Sequence, residues 1–184
     1  MSFCLTGGIA NTCADSCAGG IGRVWIAPSD AVDTVTTGGA DGEVDSITMV
    51  VGPPAGLFYE FDFYQETASF TETLERAQGN ASVVSSLTGS IICRSQAKRN
   101  AIMELASCSC GLVVIHEEAS GKRWIWGLTK DYLDTLSFGY NAQLISGEGV
   151  SGAAITDSNQ ETITVEAKAA AKALELDSAV VIPV

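Results

Sequence analysis

From Leu57 to Arg76 the chain alternates with a period of two. Phe61 and Phe63 fall on one side against Glu60, Asp62 and Tyr64, and then Phe70, Glu72 and Leu74 oppose Thr71, Thr73 and Glu75. A two-residue period puts successive side chains on opposite faces of extended backbone. The segment therefore predicts two strands with one dry and one wet face, joined around Glu66-Thr67 as an antiparallel pair. Further strands are expected at Arg23–Ala27, Val44–Val51 and Ser82–Cys93. Leu112–Glu117 and Arg123–Leu128 flank the turn Ala119-Ser120-Gly121-Lys122 as a hairpin, and Leu133–Tyr140, Gln143–Ser146 and Thr162–Ala167 complete the set. One helix is predicted over Arg94–Ser107, where Ala97, Ala101 and Leu105 recur at helical spacing beside Ile102 while Arg94, Lys98 and Arg99 stay solvated. Strands, one helix, then strands again predict a single mainly β domain over residues 1–184. Its expected form is an antiparallel β-sandwich or open barrel with one flanking α-helix.

Three segments stand outside that core. Residues 1–21 are rich in Gly and Ala and read as an arm. Residues 28–56 form a long connection containing Gly38-Gly39, Asp41-Gly42 and Pro53-Pro54, expected to be an extended hairpin; connections of this length in a compact domain usually carry function. Residues 168–184 form a second arm with an apolar end, Val180–Val184, expected to pair with a neighbouring copy. The first basic residue is Arg23, so the charged start of a secretory signal is missing, and no run of eighteen apolar residues occurs. Synthesis in the cytoplasm with no membrane partner is the expectation.

Charge narrows the partners. The chain carries 22 acidic and 10 basic residues, a net −12, and residues 1–92 hold eleven of those acids against two bases. Tight binding to phosphates by counterion release needs the opposite sign. With 46% hydrophobic and only 17% charged residues, a disordered polyelectrolyte is excluded as well.

No chemical constellation survives inspection. His116 is the sole histidine, mid-strand, without the second histidine of a metalloprotease helix, and is expected to be structural. The six cysteines read as small buried thiols. Cys13 and Cys17 have a zinc-compatible spacing, but Cys108 and Cys110 would alternate across a strand and face apart. Gly147-x-Gly149-x-x-Gly152 matches the dinucleotide-binding spacing, yet leads to a turn and a strand where that motif opens a helix. The pairs Glu60/Asp62, Glu72/Glu75 and Glu117/Glu118 sit on wet strand faces, where solvation explains them. No catalytic residue, cofactor or metal site is therefore expected, and the chain does not read as an enzyme. Trp25, Trp124, Trp126, Tyr132 and Tyr140 leave open a ligand-binding module with an aromatic platform.

Three blocks carry a resemblance. They are Cys4-Leu5-Thr6-Gly7-Gly8-Ile9-Ala10 with Cys13 and Gly19-Gly20-Ile21 before Val24-Trp25-Ile26; Arg99 through Trp126, with Leu112-Val113-Val114-Ile115 and Gly121-Lys122-Arg123-Trp124-Ile125-Trp126-Gly127; and Asn141–Gly149 with the Thr-rich strand Glu161–Ala167. Together they resemble the tail tube (major tail) proteins of bacteriophages, above all those of phages infecting Bacteroidetes hosts. The resemblance implies a structural virion protein. Six copies would form rings that stack into a hollow tube, a negatively lined conduit through which double-stranded DNA passes without adhering. Other partners would be the tape measure protein and tail-end or connector proteins. It implies Glu60, Asp62, Glu66, Glu72 and Glu75 as lumen-lining acids, and Thr37, Gly38, Gly39, Asp41 and Glu43, at the tip of the long hairpin, as contacts between rings. If each copy lends four strands, 24 strands at about 4.8 Å make a wall about 37 Å across, wide enough for a duplex roughly 20 Å thick. The same strand pattern also builds head–tail connector or tail terminator rings and capsid decoration proteins.

Overall fold

The computed structural model describes residues 20–38, 43–53, 55–64, 66–77, 80–129, 140–151 and 159–184. Among these residues eleven strands and one α-helix follow one another: β1 (Ile21–Pro28), a 3-10 turn (Ser29–Ala31), β2 (Val32–Gly38), β3 (Glu43–Met49), β4 (Tyr59–Phe61), β5 (Ser69–Ala77), β6 (Asn80–Ile92), α1 (Gln96–Ser107), β7 (Leu112–Glu118), β8 (Arg123–Trp126), β9 (Gln143–Val150), β10 (Gln160–Ala169) and β11 (Leu174–Leu176). The strands form a seven-stranded sheet in the order β2-β3-β11-β8-β7-β1-β4 and a four-stranded sheet in the order β5-β6-β10-β9. All pairings are antiparallel except the single bridge Leu176↔Val44 between β11 and β3. The chain is mainly β, two sheets with one flanking helix, as the sequence predicts.

The centre of the large sheet explains its own sequence. Val24 to Ala27 on β1 and Leu112 to His116 on β7 are buried without interruption, the pattern of strands covered on both faces. Trp25, Ala27, Val113, Ile115 and Ile125 face one core, which Val35, Val44, Met49, Leu176 and Val180 close from the other side. The large sheet thus curls so that β2, β3 and the C-terminal residues fold back over its middle. Val24, Ile26, Val114 and Trp126 face a second core shared with Leu87, Val165 and Ala167 of the small sheet. The second core lies between the two sheets, and the first lies on the other side of the large sheet.

One expected pairing is corrected. The segments 57–65 and 68–76 do not form an antiparallel pair: β4 pairs with β1 in the large sheet and β5 with β6 in the small one. Between them the chain crosses the sandwich. Tyr64 N–H donates to Ser90 O, Thr67 Oγ1 donates to Tyr64 O, and Glu66 adopts a left-handed φ of 60°. Phe61, Phe63 and Phe70 all reach the shared core from the two sheets. Gly89 makes room for this, since a Cβ there would meet the Phe63 ring at 2.5 Å. Alternation reports which face is buried and is silent on which strand lies alongside.

The C-terminal residues also dock on their own chain, while Val181 and Val184 stay exposed. Phe58 N–H donates to Pro183 O at 2.8 Å, Val180 and Ile182 join the first core, and the Arg123 guanidinium donates to the carbonyls of Asp177, Ser178 and Val180. The predicted Leu133–Tyr140 strand falls outside the described residues except for Tyr140.

Helix α1 begins where Ser95 Oγ accepts from Lys98 N–H at 3.3 Å, a side-chain cap on an otherwise orphaned donor. Ile102 packs on Ile91 and Ile163, and Leu105 joins the second core, but Ala97 is exposed. Arg94 is not solvated: its Nε lies 3.7 Å from Glu161 Oε2 in a half-buried pair. That guanidinium lies over Gly149, where a Cβ would meet it at 2.8 Å. Gly147 and Gly149 are thus strand residues paired with Ile163 and Glu161 that admit the helix side, and Gly152 lies outside the described residues.

Candidate functional site

The register of the small sheet assigns each side chain to a face, because residues paired across an antiparallel ladder point the same way. The core-facing set includes Phe70, Val83, Leu87, Ile163 and Val165. The opposite, outer face is a carpet of hydroxyls. Thr71, Thr73, Ser86, Thr88, Ser90, Thr162 and Thr164 lie on it across three strands. Two cross-strand pairs satisfy each other: Thr88 Oγ1 and Thr164 Oγ1 at 3.1 Å, and Ser90 Oγ and Thr162 Oγ at 2.9 Å. Glu75, Glu148 and Glu166 share this face with Lys168, so its charge among the described residues is negative.

Among the described residues no strand pairs with the outer side of β5 or β9. On β5, Leu74 is 63% exposed; on β9, Ile145 and Val150 are 55% and 46% exposed. Unpaired strand edges bearing apolar side chains are templates for association.

The five acids expected to line a lumen do not gather on one face. Glu75 lies on the outer face of β5. Glu72 points inward, half-buried, and its Oε1 accepts from Ala173 N–H at 2.6 Å and Ser85 Oγ at 3.4 Å. Glu66 occupies the exposed left-handed turn between the sheets. Glu60 pairs with Trp25 on the edge strand of the large sheet and Asp62 follows that strand; both border a groove beside α1, with Arg23 Nε 4.0 Å from Glu60 Oε1. Glu148 and Glu166 escaped the sequence reading, although the two-residue period through Gln160–Ala169 was there to place Glu166. The hairpin contacts stand where a tip would be: Gly38 pairs with Glu43, Thr37 with Val44, and Gly39 and Asp41 lie outside the described residues.

His116 is wholly buried. Its Nδ1 accepts from Trp126 Nε1–H at 3.2 Å, and the Phe70 ring centroid lies 4.1 Å away. Burial pushes its pKa down to about 4, so it is a neutral core residue at pH 7. The expectation of buried cysteines is not met by any of the three described. Cys93 and Cys110 are exposed, Cys108 is half-buried, and all three are free thiols. Cys108 and Cys110 follow α1 in a turn, not a strand, and burial, with Asp30 next, pushes the Cys108 thiol up. Among the described residues no group of three or more His, Cys, Asp or Glu would hold a metal. The aromatic residues do not form one platform: Trp25 and Trp126 are buried in different cores, Trp124 is half-buried, Tyr140 is exposed and Tyr132 lies outside the described residues. No helix among the described residues is long and apolar enough to cross a membrane.

Comparison with known proteins finds no matching family model, no matching curated protein and no matching solved structure.

Proposed function

We propose that the chain is a tube-building virion protein of the phage tail tube kind. Six copies join β9 of one to β5 of the next, closing their four-stranded sheets into one wall with the hydroxyl face toward the bore. The observation that supports this reading is the small sheet itself. It has the four strands that a 24-strand wall requires, and its two edges run in opposite directions, so a β9-to-β5 contact continues the antiparallel alternation. Leu74 on one edge and Ile145 on the other supply apolar surface whose burial favours the joint.

The bore would then display Ser and Thr hydroxyls, with Glu75, Glu148 and Glu166 outnumbering Lys168. Such a surface repels phosphate and offers almost no cation for it to dock on. Glu75 would line the bore together with Glu148 and Glu166, whereas Glu60, Asp62, Glu66 and Glu72 lie elsewhere. The β2–β3 hairpin, with Thr37, Gly38 and Glu43 at its described end, would reach the adjacent ring, while tape measure and connector proteins would meet the tube's ends.

Electron microscopy of the purified protein tests the reading. Six-fold rings or tubes are expected, and a strictly monomeric particle at high concentration would overturn it. Removing Thr37–Glu43 should leave rings but stop stacking; full-length tubes from that variant would remove the hairpin from its role. Copy number in the particle separates a tube, with many rings, from a connector, with one.

A further inference from the structure

The edge of the large sheet offers a different surface, independent of how the small sheet is used. Strand β4 is the last in its sheet, and the side turned away from β1 has no strand beside it among the described residues. Facing it across a groove of about 550 Å³ stands α1. Tyr59, Glu60, Phe61 and Asp62 all line the groove, although consecutive residues of a strand point to opposite faces, so it is the strand's edge that borders the space. Its floor is apolar, made by Ile26, Ile91 and Leu112, with Ala101 and Leu105 on the helix side.

The rim is acidic. Glu60, Asp62 and Glu104 border the groove against Lys98, and the Lys98 ammonium already donates to Ile92 O at 2.6 Å. Arg23 meets Glu60 only at 4.0 Å, with both side chains exposed, a contact of the strength exposed pairs usually have.

We infer that this groove binds an extended peptide segment of a partner protein, apolar at alternate positions and carrying Lys or Arg between them, which adds a strand to β4 and lies between it and α1. Each part of the site selects one part of that ligand. The open edge takes main-chain hydrogen bonds, the floor takes alternate apolar side chains, and the carboxylates take the cations.

The probe is the N-acetylated, C-amidated octapeptide of four Val-Lys repeats, with four Val-Glu repeats as its counterpart, titrated into the full chain. Binding of the basic peptide at least about tenfold tighter than the acidic one is expected, together with slowed amide hydrogen exchange at Tyr59–Asp62. Ala101→Trp fills the groove without changing net charge and should abolish both effects. The double variant Glu60→Lys, Asp62→Lys should erase or reverse the charge preference. Binding that survives Ala101→Trp reports general attraction to an acidic protein and overturns the inference. So does equal binding of the two peptides, absence of binding, or unchanged exchange at Tyr59–Asp62. Protection there that rises with protein concentration and no peptide assigns the groove to a second copy and equally overturns a heterologous partner.

Discussion

Trp126 Nε1–H donates to His116 Nδ1 at 3.2 Å inside the core between the two sheets. The bond requires a bare Nδ1, so the imidazole is neutral with its proton on Nε2. Protonation would destroy that acceptor and place a charge where no water reaches.

Stability should therefore fall on acidification. The His116 pKa is about 4 in the folded chain against 6.5 in its absence of structure, so the unfolded state binds a proton first. The contribution is fully present above pH 6.5 and is lost as pH falls from there to about 4. The slope approaches about 1.4 kcal/mol per pH unit, on the order of 3 kcal/mol in all. Denaturant unfolding at pH 7, 5.5 and 4 should show this slope in the parent and a flatter one in His116→Phe. Parallel curves would mean that His116 does not titrate between the two states.

Glu72 ties the C-terminal stretch to the small sheet through its bond from Ala173 N–H. Glu72→Ala should cost about 1–3 kcal/mol by leaving that donor unpaired, whereas Glu72→Gln keeps an acceptor oxygen and should cost less. Chemical denaturation of both variants gives the ordering.

Gly127 has φ +79°, and a Cβ there would stand 2.6 Å from Leu112 O and 3.0 Å from Ala142 N. Both obstacles are backbone, so neither can swing aside. Gly127→Ala should destabilise by about 2–4 kcal/mol, from left-handed strain and overpacking together. The shift in unfolding midpoint measures it.

If β5 and β9 join copies, a charge at either edge should weaken assembly. Leu74→Glu and Ile145→Glu should each raise the concentration needed for ring formation at least about tenfold, equivalent to about 1.4 kcal/mol per contact. Val51→Glu, at a 96% exposed position outside the small sheet, should not. Sedimentation velocity across a dilution series distinguishes the three.

Local periodicity made most elements legible. The helix at Gln96–Ser107, the β7–β8 hairpin and the long β2–β3 hairpin all follow from spacing and turn residues that neighbours in sequence supply. What stayed hidden depends on distant contacts. Nothing near Phe61 and Phe70 says that they reach one core from two sheets, because a short left-handed turn at Glu66 makes the crossing. The expected group of five acids failed to gather for the same reason. Parity within a strand already sets Glu72 beside Phe70 and Leu74 and Glu166 opposite Val165 and Ala167, but which sheet a strand joins depends on distant partners, and that parted Glu60 from Glu75. Arg94 looked like a solvated helix-end cation because Glu161, its partner, comes 67 positions later.

The interleaving of the large sheet has a cost during synthesis. Strand β1 is flanked by β4 and β7, and β11 is inserted between β3 and β8. A ribosome that has released only the first hundred residues has therefore exported Val24-Trp25-Ile26-Ala27 with β7, one of its two flanking strands, still unmade. Long-range pairing of this kind closes slowly, and until β11 emerges the first core lacks Leu176 and Val180. The nascent chain spends that interval with sticky strands on view, so in the cell its yield should depend on chaperone capacity as much as on the stability of the finished fold.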